Sequence, residues 1–318
     1  MVWRIGWRNA GRRLLRLYMA VATLACLATV CGFFARGWWV LELCCHFRVQ
    51  YAVVLVLATA LAAACKRYKS AALLALFTAV NVLPIVPLYF GRTTATDVGP
   101  SLRAVLLNVH TANHDSAAVL DFLQTAEAKL VVLLEVNDRW RRELQALEAD
   151  YPHSRMMPRE DNFGIALLSR VPWHDCRIVH LGDAGVPSII AHMRIEDAPL
   201  TVIATHPLPP VNAEYVADRN RQLVAVAELA AEQDNAVLVL GDLNTTSFSP
   251  HFGDLLERSK LQDSRTGFGL QPTWPAQSPV TWISLDHCLV SPSMTVGNRR
   301  VGPFVGSDHY PVVVDLAL

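Results

Sequence analysis

The chain has no excess of either charge: 28 Lys and Arg are matched by 28 Asp and Glu. A protein that holds nucleic acid through a broad basic surface needs surplus cations, so no stable nucleic-acid partner is expected. Cysteine is scarce where a disulfide framework would need it. Of seven, Cys26, Cys31, Cys44, Cys45 and Cys65 fall early, and only Cys176 and Cys288 lie beyond residue 100. Those two could pair once in an oxidising compartment but cannot make a framework, and no C-x-x-C spacing offers a zinc site. Charge is absent altogether from residues 17–35, 49–65 and 70–91, stretches of 19, 17 and 22 residues.

About 20 mostly apolar residues suffice for a helix to cross a bilayer, so these stretches are expected to form three transmembrane helices at about 17–35, 49–65 and 70–90. A cleaved signal peptide is the competing reading of the first, because basic residues precede it. Two further spans come after it, however, and no small-residue cleavage site stands out. Trp3, Trp7, Trp38 and Trp39 suit the membrane interface. Arg4, Arg8, Arg12, Arg13 and Arg16 precede the first span, and Lys66, Arg67 and Lys69 lie between the second and third; Arg36 and Arg48, with Glu42, fall between the first and second. The positive-inside rule then places the N-terminus in the cytoplasm and everything after residue 91 outside, periplasmic or extracellular. Pro84 and Pro87 should kink the third span or end it early. Residues 1–91 thus read as a multi-pass anchor in the cell (inner) membrane, 92–100 as a polar linker, and 101–318 as one domain whose tether keeps it near the bilayer.

In that domain, apolar runs alternate with helical segments. Ser116 to Ala126 carries Val119, Leu120 and Leu123 at helical spacing, Asn137 can cap a helix through Trp140, Leu144 and Leu147, and Glu214 to Glu232 reads as a long helix. Strands are also expected around Gly164 to Leu168 and Ser188 to Ile195. The apolar runs begin or end on functional groups. Asn108 follows Ala104 to Leu107, Glu135 follows Leu130 to Leu134, and His206 follows Thr201 to Thr205. Asp242 and Asn244 follow Ala236 to Gly241, Asp286-His287 precedes Cys288 to Val290, and Ser307-Asp308-His309 precedes Val312 to Leu316. Groups at strand ends gather at one rim of a sheet, where active sites form.

This ordered set, with Gly241-Asp242-Leu243-Asn244, Leu285-Asp286-His287 and Ser307-Asp308-His309-Tyr310-Pro311, resembles the endonuclease/exonuclease/phosphatase superfamily of metal-dependent phosphoesterases over roughly residues 100–318. The resemblance implies an α/β fold, a four-layer sandwich of two β-sheets flanked by helices, here preceded by the three spans. It also implies hydrolysis of phosphate esters with Mg²⁺ or Mn²⁺, held by Glu135 with Asp308 and Asn108. Asp242 would orient or deprotonate the attacking water, and Asn244 would hold the phosphate or the transition state. His309, fixed by Asp286, would contact a phosphoryl oxygen, and His206 would be a second donor to it. Asn108 and Trp274 are expected at the substrate, the latter in the stiff Pro272 to Pro275 loop. Arg219 and Arg221 could hold a second phosphate or simply form a solvated helix face.

Two positions depart from the abasic-site endonucleases of that superfamily. His110 stands where a carboxylate is common, and Asp161-Asn162-Phe163-Gly164 offers a phenylalanine where an active-site tyrosine is expected. The resemblance is nearest to a bacterial branch with a three-span anchor, some of whose members act on lipid-linked pyrophosphates. The expected activity is therefore hydrolysis of a phosphorylated, lipid-linked substrate at the bilayer. An extracellular nuclease or a phosphodiesterase acting on a lipid such as sphingomyelin is the alternative within the class, and a catalytically inactive binding module the alternative outside it.

Overall fold

A computed structural model describes residues 2–91 and 101–318, with side chains at residue 13 and from residue 15 onward. The expected linker 92–100 and the side chains of Trp3, Trp7, Arg4, Arg8 and Arg12 lie outside that description. The chain separates into two compact units, Met1–Pro87 and Leu88–Leu318.

The first unit holds helices α1 (Val2–Gly32), α2 (Trp39–Leu43), α3 (Arg48–Ala64) and α4 (Tyr68–Val82). Small side chains line its interior, among them Ala22, Ala25, Ala52, Ala58, Ala62 and Ala71 around Leu55 and Leu74. Large apolar ones face out: Leu17, Leu24, Leu27, Val53, Leu57, Leu73 and Leu76 are all exposed. Polar groups pair between helices, with the Asn81 amide donating to Thr29 Oγ1 at 2.8 Å and the Tyr18 hydroxyl to the Val54 carbonyl at 2.5 Å. Only one of the three expected spans meets a length criterion, an 18-residue window at Leu15–Gly32. The other two helices have 17 and 15 residues, short of the roughly 20 needed to cross hydrocarbon. The last stops at Val82 because Pro84 cannot donate its backbone N–H and crowds the residue before it.

In the second unit, the runs around the functional groups become strands with every residue buried or nearly so. Successive side chains point to opposite faces, so each run supplies two cores. One sheet has the order β11 (Thr295–Val301), β12 (Val312–Ala317), β1 (Leu102–Asn108), β2 (Leu130–Leu134), β4 (Ile165–Ser169) and β3 (His153–Met157). The other has β5 (Trp173–His180), β6 (Pro187–Ile195), β7 (Ala198–Thr205), β8 (Ala236–Asp242), β10 (Asp286–Val290) and β9 (Gln262–Asp263). Ala104, Leu106, Val132 and Val314 of the first meet Ala191, Val202, Leu240 and Cys288 of the second. On the outer face of the first sheet, Val105, Leu107 and Val131 pack against α5 (Ser116–Thr125) and Trp140 of α6 (Asp138–Glu143). On the outer face of the second, Ile203 and Val239 pack against α7 (Ala213–Ala231) and α8 (Pro250–Ser259). The result is a layered α/β sandwich of two mixed sheets between helices. Cys176 and Cys288 are free.

Each sheet contains one parallel pair, β1 with β2 and β7 with β8, whose strands end at the same rim. The antiparallel neighbours start there: Asp286 of β10 lies opposite Asp242 of β8, and β12 runs back along β1 from Val312 opposite Leu106. Gly241 lets the second pair close. A Cβ there would meet the Thr205 carbonyl oxygen at 2.1 Å. Gly241→Ala should therefore cost about 3 kcal/mol, the upper range for overpacking, and lower the urea midpoint of the full-length protein in detergent. An unchanged midpoint would mean that β7 and β8 part freely.

Candidate active site

Six segments from both sheets meet at this rim. Asn108 ends β1 fully buried; its amide donates to Glu135 Oε1 at 2.9 Å and points at Asp242 Oδ2 at 3.4 Å. Glu135 follows β2 at φ +61°, in the left-handed region that non-glycine residues seldom adopt. Its Oε2 accepts the Thr111 amide at 3.0 Å, and its carbonyl accepts the Thr111 hydroxyl at 3.2 Å. His110 and Asn244 share the left-handed conformation, at φ +59° and +49°. Three such residues thus sit together at the rim.

The centre is Asp242. Its Oδ1 accepts the Asn244 amide at 2.9 Å. Around Oδ2 stand His206 Nε2 at 3.4 Å, His309 Nε2 at 3.6 Å and the Asn108 amide. All three are longer than good hydrogen bonds, so they converge on the carboxylate without closing over it. His309 Nδ1 binds Asp286 Oδ2 at 2.8 Å, and the Ser307 hydroxyl accepts the His309 amide while donating to the Asn108 carbonyl at 2.7 Å. One hydroxyl so ties the loop before β12 to the end of β1.

Burial disfavours the charge on His309, yet the Asp286 and Asp242 carboxylates outweigh it and raise its pKa to about 10. Burial likewise opposes ionisation of Asp242, but His309 and His206 hold its pKa down at about 2. For His206, burial is overcome by Asp242, and the pKa rises. At neutral pH His309 is therefore an imidazolium that can donate but not accept. Asp242 is a charged acceptor at the centre of the cluster.

The ligand atoms of Asp242, Asp286 and His309 lie within 4.8 Å of one another, close enough to surround an ion. The imidazolium already answers those carboxylates, so a dication finds little uncompensated charge there. Glu135 and Asp308 suit a hard cation better. Glu135 is met by neutral donors, and Asp308 Oδ1 is buried without a hydrogen bond. His110 Nδ1 lies 3.4 Å from that oxygen, and Trp274 Nε1 donates to Asp308 Oδ2 at 3.1 Å. Asp286 Oδ1 also lacks a partner, but its other oxygen holds the charged ring.

The expected residues separate into two groups. Asn108, Glu135, His206, Asp242, Asn244, Asp286, Asp308 and His309 come together, with Trp274 beside Asp308 and 6.4 Å from the His309 ring. Arg219 and Arg221 do not join them as phosphate ligands. Arg219 is fully buried and donates to the Asn244 carbonyl at 3.1 Å and to Asn220, bracing Asn244 from behind. Arg221 is half exposed and pairs with Asp183 at 2.7 Å and with Asp218, on the solvated face of α7. The Asn244 amide nitrogen donates to the Pro207 carbonyl at 2.9 Å, which fixes the turn after His206. Phe163 packs against His206 with ring centroids 5.4 Å apart, so the Asp161 to Gly164 segment does reach the site. Thr111 and Thr273, whose hydroxyl accepts the amides of Leu285 and Asp286, carried no sequence signal beyond their neighbours, and Ser307 only its place in the Ser307-Asp308-His309 string.

Residues 105–309 match the Endonuclease/Exonuclease/phosphatase family. The chain belongs to that family. Among solved structures, it is similar to the endonuclease/exonuclease/phosphatase from Bacteroides vulgatus at 19% identity and TM-score 0.59, over 68% of this chain and 98% of that one. Humanized D. rerio TDP2 carrying 14 mutations aligns at 16% and 0.58, over 68% and 99%. The family protein from Beutenbergia cavernae aligns at 22% and 0.56, over 68% and 71%. At such identities these likenesses speak to the fold alone. No curated protein matches the chain.

Behind the site, His287 is buried against Phe252 and bonds the Thr245 carbonyl through Nε2 at 2.9 Å. Burial, reinforced by Arg265 and Arg299 against the pull of Asp263, lowers its pKa to about 4. Unfolded, it would titrate near 6.5, so between these values the unfolded chain binds the extra proton. Its contribution is full above about pH 6.5 and is lost as pH falls toward 4, on the order of 3 kcal/mol. The urea midpoint should fall over that window, and His287→Gln should flatten the fall. An equal fall in the variant would clear His287 of the effect.

Proposed function

We propose that this chain is a metal-dependent hydrolase of phosphate esters or anhydrides. The observation that carries the reading is the convergence of Asn108, His206 and His309 on one oxygen of Asp242. Phosphoryl transfer asks the protein mainly to position the reactants and to place positive charge and donors around the equatorial oxygens. His309, held protonated by Asp286, is built to donate to one of these oxygens. His206 and the Asn108 amide can meet others. Asp242 is too acidic to be a strong base at neutral pH, so its main task is to orient the attacking water and take up its proton as the bond to phosphorus forms. Arg219 and the Pro207 carbonyl keep Asn244 where its side chain can assist.

Glu135, Asp308 and Asn108 would hold a divalent cation, Mg²⁺ or Mn²⁺, in the family's manner. When bound, it supplies positive charge against the phosphoryl and departing oxygens.

The first unit supports a substrate at a bilayer. Small residues inside and large apolar residues outside are the arrangement of helices packed in lipid, where close backbone approach and polar pairs such as Asn81 with Thr29 hold the bundle. One crossing or three both leave the domain on the far side from a cytoplasmic N-terminus, and α1 alone is long enough for one. We therefore favour a phosphorylated lipid, including lipid-linked pyrophosphate, as substrate outside the cytoplasm. TDP2 of D. rerio has been crystallised with a single-strand DNA product, but the neutral charge balance here weighs against nucleic acid as the partner.

Phosphate release by the detergent-solubilised full-length protein tests this. Polyprenyl pyrophosphate, polyprenyl monophosphate, sphingomyelin and plasmid DNA are compared with and without Mg²⁺. Release from a polyprenyl substrate is expected, falling about 10²- to 10³-fold in His309→Ala, the loss of one donor to developing charge. Cleavage of DNA in preference to the lipids would replace the reading with a nuclease. In Glu135→Ala, the Mg²⁺ concentration for half-maximal rate should rise by at least about tenfold. An unchanged metal requirement would remove Glu135 from the cation site.

A further inference from the structure

Among the described residues beyond 91, only three large apolar side chains are well exposed: Val211 at 62%, Val280 at 81% and Phe304 at 47%. Exposed apolar residues scattered singly are ordinary and call for no explanation. These are not scattered. Val211 lies between the end of β7 and the start of α7, Val280 in the loop that leads into β10, and Phe304 in the loop that leads into β12. The same loops deliver His206, Asp286 and Ser307-Asp308-His309, so all three residues stand at the rim that bears the site. These loops also lack charge. Residues 266–285 hold no Lys, Arg, Asp or Glu over 20 positions, and Pro272, Pro275 and Pro279 keep them from forming a helix. Residues 207–213 and 301–307 are equally uncharged.

The long loop is held firmly against the segment before β12. The Tyr310 amide donates to the Thr273 carbonyl at 2.8 Å, the Ala276 amide to the Asp308 carbonyl at 2.7 Å, and the Tyr310 hydroxyl to the Ala276 carbonyl at 2.9 Å. Tyr310 also gathers Trp282 and Phe304, whose ring centroids lie 6.3 and 6.4 Å from its own. Val280 and Phe304 therefore project from a fixed aromatic base that begins at the residue after His309. Nucleic acid would need cations on these loops. A second copy of the chain would have to match several separate projections at once, whereas a fluid interface conforms to them. Aromatic and aliphatic side chains on uncharged backbone suit the boundary between headgroups and acyl chains. We infer that Val211, Val280 and Phe304 are prongs with which the second unit docks on a lipid bilayer, rim toward the membrane, by apolar insertion. This rests on the bilayer setting proposed above and adds an orientation to it: a phosphate on a lipid meets Asp242 without leaving the interface.

Photochemical capture of lipid tests the docking without reference to catalysis. Full-length protein with p-benzoylphenylalanine placed at Val211, Val280 or Phe304 is reconstituted into phosphatidylcholine vesicles containing an alkyne-tagged share of the same lipid, then irradiated. Glu232, exposed just after α7 at the end away from the rim, is the control position. Tagged lipid at each of the three loops should exceed that at Glu232 by about tenfold or more, the factor that burying one Val or Phe side chain represents. With the probe at Phe304, Val280→Asp should cut the capture by about the same factor; Val280 is exposed enough for the variant to fold. Salt at about 1 M should leave capture unchanged, because no ion pair is involved. Capture at the loops no greater than at Glu232 overturns the docking, as do cross-linked dimers in place of lipid, and capture lost in salt overturns apolar insertion. Capture at the three loops by a protein that hydrolyses none of the phosphate substrates upholds the docking and overturns the phosphoesterase reading instead.

Discussion

A buried carboxylate stays charged only if other groups answer its charge, and the whole site is arranged around that requirement at Asp242. His206 and His309 approach the same oxygen from different segments; His309 is protonated because of it, and the pKa of His206 is raised. Asp286 completes the balance by holding the far nitrogen of His309. The imidazolium of His309 thus stands between two carboxylates while the donors remain directed into one space. That accounts for ionised groups surviving beneath the surface, where an isolated ion would neutralise itself.

Much of this is legible in the chain. Asn108, Glu135, His206, Asp242 and Asp286 sit directly beside uninterrupted apolar runs, and the end of a strand fixes the position of the residue next to it. Strands β3, β5 and β11 lie at the sheet edges and mix polar with apolar residues, so no run announces them. Arg219 misleads for a related reason. On a helix rich in charge it reads as a surface cation, yet the turn at Asn244 draws its guanidinium inside. The charge-free stretch at 70–91 is longer than the helix it makes, because two prolines in it halt the backbone at Val82.

The two units bury opposite kinds of surface. The domain hides large aliphatic residues between its sheets, as water demands. The helical unit hides alanines and displays leucines, the pattern on which the proposed bilayer setting rests.

The Ser307 hydroxyl and the paired strand ends bring the sheets' contributions to one point, with Asn108, Glu135 and His309 from one and His206, Asp242 and Asp286 from the other. Neither half contains a functional subset. The distances around Asp242 Oδ2 thus measure how the sheets are seated on each other, as a vernier reads the offset between two scales. A side chain such as Val202 or Val314, away from the rim along the interface, sets that offset as surely as the residues at the rim.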